Sequence, residues 1–195
     1  MTDTIINYIT ENSIELTGFV LGIAYVLLAI RQSVWCWIFG IGNVSMSILV
    51  FYNSALYGDM ALNIFYLLMS FYGLYAWLWL KRSDNGGSSI TTTPKRYRLW
   101  LLLFTAGVTA GSGYLLTFTD NTIPWWDGLT TALGLAATWM TARKLVENWL
   151  VWIFTDLLCA VIYIYKGLYP TSIYYFIMAM LAIQGYYKWK KELKL

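Results

Sequence analysis

Residues 147–169 read ENWLVWIFTDLLCAVIYIYKGLY, and residues 35–57 read WCWIFGIGNVSMSILVFYNSALY. Each is an apolar run of about 20 residues, the length that crosses a bilayer as a helix. The two runs are one pattern displaced by 112 residues: Trp37 meets Trp149, and Leu56-Tyr57 meets Leu168-Tyr169. The register continues on both sides. Glu15 meets Asp127, and Leu21, Gly22 and Ala24 meet Leu133, Gly134 and Ala136. Arg31 meets Arg143, Val34 meets Val146, and Gly73, Tyr75 and Trp77 meet Gly185, Tyr187 and Trp189. Apolar sequences share residues by chance, but not loop limits, arginine turns and terminal tryptophans together.

The composition agrees with a membrane chain. Of 195 residues, 59% are hydrophobic, 18% aromatic and 12% charged, with 11 Trp and no His. A soluble domain carries about 25% charged residues. A soluble enzyme, a disordered chain, a nucleic-acid binder and a disulfide scaffold are excluded. Cys36 and Cys159 stand alone in apolar stretches, without metal spacing, and read as small buried hydrophobes.

Hydropathy gives seven spans, near 14–30, 35–53, 57–80, 98–118, 125–142, 146–165 and 168–188. The only long hydrophilic stretch, Lys81 to Arg98, contains SDNGGSSITTTP and reads as a flexible linker. The N-terminal residues carry Asp3 and Glu11 and no basic residue, so they read as a translocated tail before an uncleaved anchor. With seven spans, all of the 13 Lys and Arg residues except Lys166 fall on one side. The positive-inside rule then places the N-terminus outside and the C-terminus in the cytoplasm. Trp77, Trp79, Trp100, Trp125, Trp126, Tyr186 and Trp189 lie near span ends and read as interfacial belts, and Lys166 as a snorkelling end residue.

The predicted fold is an all-α integral membrane protein, a single transmembrane domain over residues 1–195. Repeat one covers 14–80, a linker loop and helix 81–118, and repeat two 125–192. Three spans end on the side opposite their start, and the extra span returns the chain. The two triplets are therefore parallel, a 3+1+3 arrangement found among transporters, with the substrate expected near the midplane between repeats.

Polar groups at membrane depth are functional candidates, because hydrocarbon penalises them. Asp156 lies midway along the sixth span. Trp149, Trp152 and Asp156 share one helix face at i, i+3 and i+7, and Tyr163 continues it. Aromatic rings beside a carboxylate suit a flat cation, by stacking and counter-charge. The second span brings Trp37 and Asn43. The third carries Asp59, Asn63, Tyr66 and Ser70 as a polar stripe; its repeat counterpart in the seventh is mostly Thr171, Tyr175 and Met178, and Gln184 adds an amide there. The expected substrate-binding set is Trp37, Asn43, Asn63, Tyr66, Trp149, Trp152, Asp156, Tyr163 and Gln184, with interhelical hydrogen bonding as the competing role of the amides. The fifth span is rich in Thr and Gly, which allow close helix approach or line a wet path. Glu15 and Asp127 are expected at the outer mouth, where acidic charge draws cations. No metal and no cofactor is expected. Without a phosphate-binding glycine loop, a His or a clustered carboxylate pair, neither a primary pump nor an intramembrane enzyme is expected. Proton coupling through Asp156 and a binding-only receptor are the other readings.

The run from Glu147 to Tyr175, with its partner from Trp35 to Tyr66, resembles the signature regions of the PnuC family of bacterial vitamin transporters. The resemblance covers nearly the whole chain. It implies a fold related to the sugar-transporting SWEETs, a homotrimer, and facilitated diffusion of a vitamin. A cytoplasmic kinase then traps the product. Members carry nicotinamide riboside, and relatives carry thiamine or are proposed for riboflavin. The motif for nicotinamide riboside is Trp-x-x-Trp-x-x-x-Asn. Trp149 and Trp152 match it, and Asp156 replaces the Asn. Ionised Asp only accepts hydrogen bonds and adds a full charge. With the chain's shortness, this tilts the expected substrate to thiamine, with nicotinamide riboside as the alternative.

Overall fold

The computed structural model describes residues 13–53, 57–80 and 90–193, apart from the side chains of residues 13–16, 57–59 and 80. The linker before Ile90 and the side chains of Glu15 and Asp59 thus lie outside the described residues. Among the described residues seven α-helices follow in order: α1 Ser13–Ile30, α2 Trp35–Asn53, α3 Tyr57–Tyr75, α4 Lys95–Leu116, α5 Pro124–Ala142, α6 Asn148–Tyr165 and α7 Tyr169–Leu193. A π-helical turn, Ala76–Leu80, extends α3. No strand occurs among the described residues, only an isolated bridge between Thr91 and Leu145. The protein is an all-α membrane protein with the 3+1+3 helix order.

Among the described residues, four helical stretches are long and apolar enough to cross a membrane: Trp35–Asn53, Met60–Trp79, Lys95–Leu116 and Asn148–Tyr165. α5 carries Thr, Gly and Ala in place of large apolar residues, and it is also the most enclosed helix. Gly128, Ala132, Gly134, Ala136, Ala137 and Thr141 are buried along it. A helix shielded by neighbours has no lipid to satisfy, and small residues let those neighbours approach.

The chain divides into two compact units within α3, one ending at Phe71 and one starting at Tyr72. In the first, α1 packs on α2 through a tight turn. Gln32 adopts φ 53°. The Gln32 N–H donates to the Ala29 carbonyl and the Ser33 N–H to the Leu28 carbonyl, both at 2.9 Å. This is a Schellman cap, built here on a non-glycine residue in the left-handed region. In the second unit the same turn recurs between α5 and α6. Lys144 also has φ 53°. Its N–H donates to Thr141 (2.9 Å), and the Leu145 N–H donates to Met140 (3.0 Å). Each of these residues is the one 112 positions on from its counterpart. A third such cap, on Gly167 (φ 74°), joins α6 to α7.

In the second unit α4 packs on α5, α5 on α6, and α6 on α7. α4 and α5 touch backbone to backbone. A Cβ on Gly128 would stand 2.8 Å from the Gly113 nitrogen, and one on Gly113 2.6 Å from the Trp125 ring. Ser172 Oγ donates to the Ala160 carbonyl across the α6–α7 seam (2.9 Å).

Three expectations change. Trp77 and Trp189 are buried, not interfacial. Their rings pack at 6.3 Å, because the π-helical turn after α3 docks on the α5–α6 turn. Trp77 Nε1 donates there to the Thr141 carbonyl (3.3 Å), and Lys144 Nζ lies 4.6 Å over the Trp77 ring. Trp79, Trp100, Trp125 and Trp126 are exposed, as belts require. Second, the end of the hydrophilic stretch is pinned. Ile90 and Thr93 are buried, and Thr91 exchanges backbone hydrogen bonds with Lys144 and Val146 (3.1 and 2.9 Å). The Thr93 N–H and hydroxyl both donate to Glu147 Oε2 (2.8 and 2.7 Å), and α4 already begins at Lys95. Third, Lys166 is ion-paired with Asp127 at 3.1 Å, not merely snorkelling. Asn121 Nδ2 donates to the same carboxylate oxygen (2.7 Å), so Asp127 is a clasp between the start of α5 and the end of α6.

Candidate functional site

The α6 face singled out by the spacing runs between α5 and α7, and its members do different things. Trp149, 2% exposed, is packed edge-on against Trp189 at 5.3 Å and 88°. Gly185 of α7 lies beneath it, so close that a Cβ there would stand 2.7 Å from three ring atoms. One turn on, Trp152 is half-buried and faces α5, where Nε1 donates to Thr141 Oγ1 (3.3 Å). The Thr141 hydroxyl shares its proton between the Ala137 carbonyl (2.9 Å) and Asn148 Oδ1 (3.1 Å). Asn148 Nδ2 closes the set on the Leu145 carbonyl (2.6 Å). The indole of Trp152 is thereby fixed, with part of its surface left open.

Asp156 is 5% exposed. It acts electrostatically on Cys159 one turn along α6 and on Tyr174 and Tyr175 of α7. Tyr163 and Tyr175 stack face to face at 5.2 Å and 8°, and Tyr174 meets Tyr175 edge-on at 5.4 Å. The carboxylate is thus within electrostatic reach of Tyr174 and Tyr175, two members of a cluster of three tyrosines. A buried carboxylate in an aromatic, low-dielectric surrounding attracts a cation far more strongly than in water, and the ring faces add to that attraction. Tyr174 and Cys159 were absent from the sequence-based set. Tyr174 is one residue from Tyr175 in an aromatic-rich span, so only α6–α7 packing distinguishes it. Gln184 is exposed on α7.

In the first unit, Trp37 is fully buried and edge-on to Tyr25 at 5.9 Å and 78°. Asn43 is half-buried, and its Oδ1 lies where a Cβ on Gly18 would meet it at 3.6 Å, so this amide faces α1. Asn63 and Tyr66 are half-buried on α3. Ser70 Oγ donates to the Tyr66 carbonyl (2.8 Å) and lies near Gly40 of α2. No group of three His, Cys, Asp or Glu that would hold a metal occurs among the described residues.

At the basic end of the second unit, Arg143 lies over the Trp139 ring (5.7 Å) and donates to the Tyr72 and Tyr97 hydroxyls (3.2 and 3.4 Å). The hydrogen bond to Tyr72 raises the guanidinium above its usual range, so it stays charged.

A family profile described as "Nicotinamide mononucleotide transporter" matches residues 12–191. The nicotinamide riboside transporter PnuC of Escherichia coli (strain K12) is 24% identical over 205 residues, covering 90% of this chain and 84% of that protein. The protein of the same name from Neisseria mucosa is 28% identical over 188 residues, covering 90% and 71%. A crystal structure described as that of the vitamin B3 transporter PnuC superposes with a TM-score of 0.76 at 21% identity, covering 98% of this chain and 86% of that one. The match spans the Schellman turns, the Asp156 helix and the tyrosine cluster alike. The chain belongs to the nicotinamide mononucleotide transporter family, the PnuC transporters.

Proposed function

We propose that this membrane protein carries nicotinamide riboside by facilitated diffusion, with Asp156 as the counter-charge to the pyridinium ring. The observation that carries the reading is a nearly buried carboxylate on α6 within electrostatic reach of Tyr174 and Tyr175, whose rings pack on each other and on Tyr163. Burying a lone carboxylate is costly unless a cation, water or a partner meets it, and a flat cation meets both the charge and the rings. Trp152, fixed by Thr141, offers a further stacking face. Trp149 belongs to the packing that sets α6 against α7. The first unit's Trp37, Asn43, Asn63 and Tyr66, and Gln184 of α7, are further candidates, each judged by its own variant.

Asp156 as a full charge also suits thiamine, the substrate that the sequence favours. The relatives named as nicotinamide riboside transporters move the preference to the nucleoside. The nucleotide is disfavoured, because its phosphate would approach the acidic Asp156. In this reading the basic end faces the cytoplasm of a bacterial inner membrane, the N-terminus is outside, and a cytoplasmic kinase traps the product. The assembly is a homotrimer.

Uptake into liposomes tests the proposal, with nicotinamide riboside, thiamine, riboflavin and nicotinamide mononucleotide offered in turn. Saturable entry of the riboside ahead of the others is expected. Binding without entry would identify a receptor, and faster thiamine entry would overturn the substrate assignment.

A further inference from the structure

We propose that the second unit holds an anionic phospholipid in a groove between α4 and α5, its headgroup at Arg98 and one acyl chain along the helices. The groove has a volume of about 740 Å³ and is lined almost wholly by apolar atoms. On α4, Arg98, Leu102, Ala106 and Ala110 follow at four-residue steps, and Leu129 and Leu133 of α5 form the opposite wall. Ala106 and Ala110 are exposed and hollow the surface, where larger side chains would fill it. Trp125 stands at the far end.

Length and charge identify the occupant. From Arg98 to Ala110 the helix rises roughly 18 Å, at about 1.5 Å per residue. One leaflet's hydrocarbon is about 15 Å deep, half the bilayer core. The groove therefore runs the depth of one leaflet from its basic end. There Arg98 Nε donates to the Thr93 carbonyl (3.3 Å), which aims the guanidinium while leaving its terminal nitrogens for a phosphate. Glu147 also lines this end, but its Oε2 accepts both the Thr93 N–H and hydroxyl. Lys95 and Arg96 on the first turn of α4 add cationic charge. Basic pockets between spanning helices are the usual seat of anionic headgroups. A second copy of the chain would be expected to present an apolar surface to an apolar groove, without use for a positively charged end.

Native mass spectrometry of the purified full chain tests this, with phosphatidylglycerol or phosphatidylcholine added at equal concentration. The wild type is expected to retain one phosphatidylglycerol with more than roughly fivefold preference, since one basic residue alone contributes about fivefold at a membrane surface and Lys95 and Arg96 add to Arg98. Arg98→Gln is expected to lower that preference about fivefold, and an unchanged preference overturns the proposal. Ala106→Phe, which fills the groove from a lipid-exposed position, is expected to lose the retained lipid while the protein still binds vitamin. Equal retention of both lipids by the wild type, or undiminished retention by Ala106→Phe, overturns the proposal. A fall in oligomer mass with Ala106→Phe, without loss of lipid, would assign the groove to a second copy.

Discussion

Replacing Gly185 by Ala sets α6 against α7 at their closest approach. The added Cβ would lie 2.7 Å from three atoms of the Trp149 ring. Carbon atoms rest at about 3.5–4.0 Å, so ring and helix must separate by roughly 1 Å. Trp149 has little room to turn, being 2% exposed and held edge-on by Trp189 at 5.3 Å. Overpacking of this kind costs about 1–3 kcal/mol, a factor of roughly 5 to 150 in the folded-to-unfolded ratio. Unfolding in detergent, followed by intrinsic fluorescence, reads the loss. Trp149→Leu removes two of the three contacted atoms, Cε2 and Cε3, so Gly185→Ala in that background should cost about 1 kcal/mol less than in the wild type. A Gly185→Ala protein as stable as the wild type, or one equally destabilised with Leu at 149, would show that Trp149 does not fill this seam.

Gln32→Gly relieves a left-handed residue at the α1–α2 turn, and its stability is expected to rise by up to about 1 kcal/mol in the same unfolding assay. A loss there would refute the cap. Lys166→Met breaks a partly exposed ion pair with Asp127; the expected cost is under about 1 kcal/mol, and the effect should vanish at high salt. Thr93→Val removes one of the two hydrogen bonds to Glu147, a loss of about 1.5–3 kcal/mol locally, and limited proteolysis near Ile90 should accelerate. An unchanged digestion pattern would mean that the linker end is held elsewhere.

The helix order was legible because lipid demands long apolar runs and the 112-residue register marks each turn. The turn itself is written weakly: Gln32 and Lys144 adopt a conformation that sequence associates with glycine, and only their matching hydrogen bonds expose it. Asp156 was legible because a charge in an apolar span is conspicuous. The roles of Trp149 and Trp152 were not. Both sit on one helical face, yet one is sealed against Gly185 and the other is hydrogen-bonded to Thr141, and helical spacing carries no record of what lies opposite. For the same reason Trp77 and Trp189 read as interfacial anchors although they are buried. Tyr174 comes near Asp156 through α6–α7 packing, which no local pattern encodes.

The most direct test of the account compares two ligands of nearly the same shape, nicotinamide riboside and its reduced, uncharged dihydro form. Calorimetry on the wild type should give at least about tenfold tighter binding of the cation, as expected for a charge-assisted contact. Asp156→Asn should reduce that ratio to near unity. A wild type that binds both forms equally, or an Asp156→Asn protein that keeps the full preference for the cation, would contradict the assignment of Asp156 as the counter-charge.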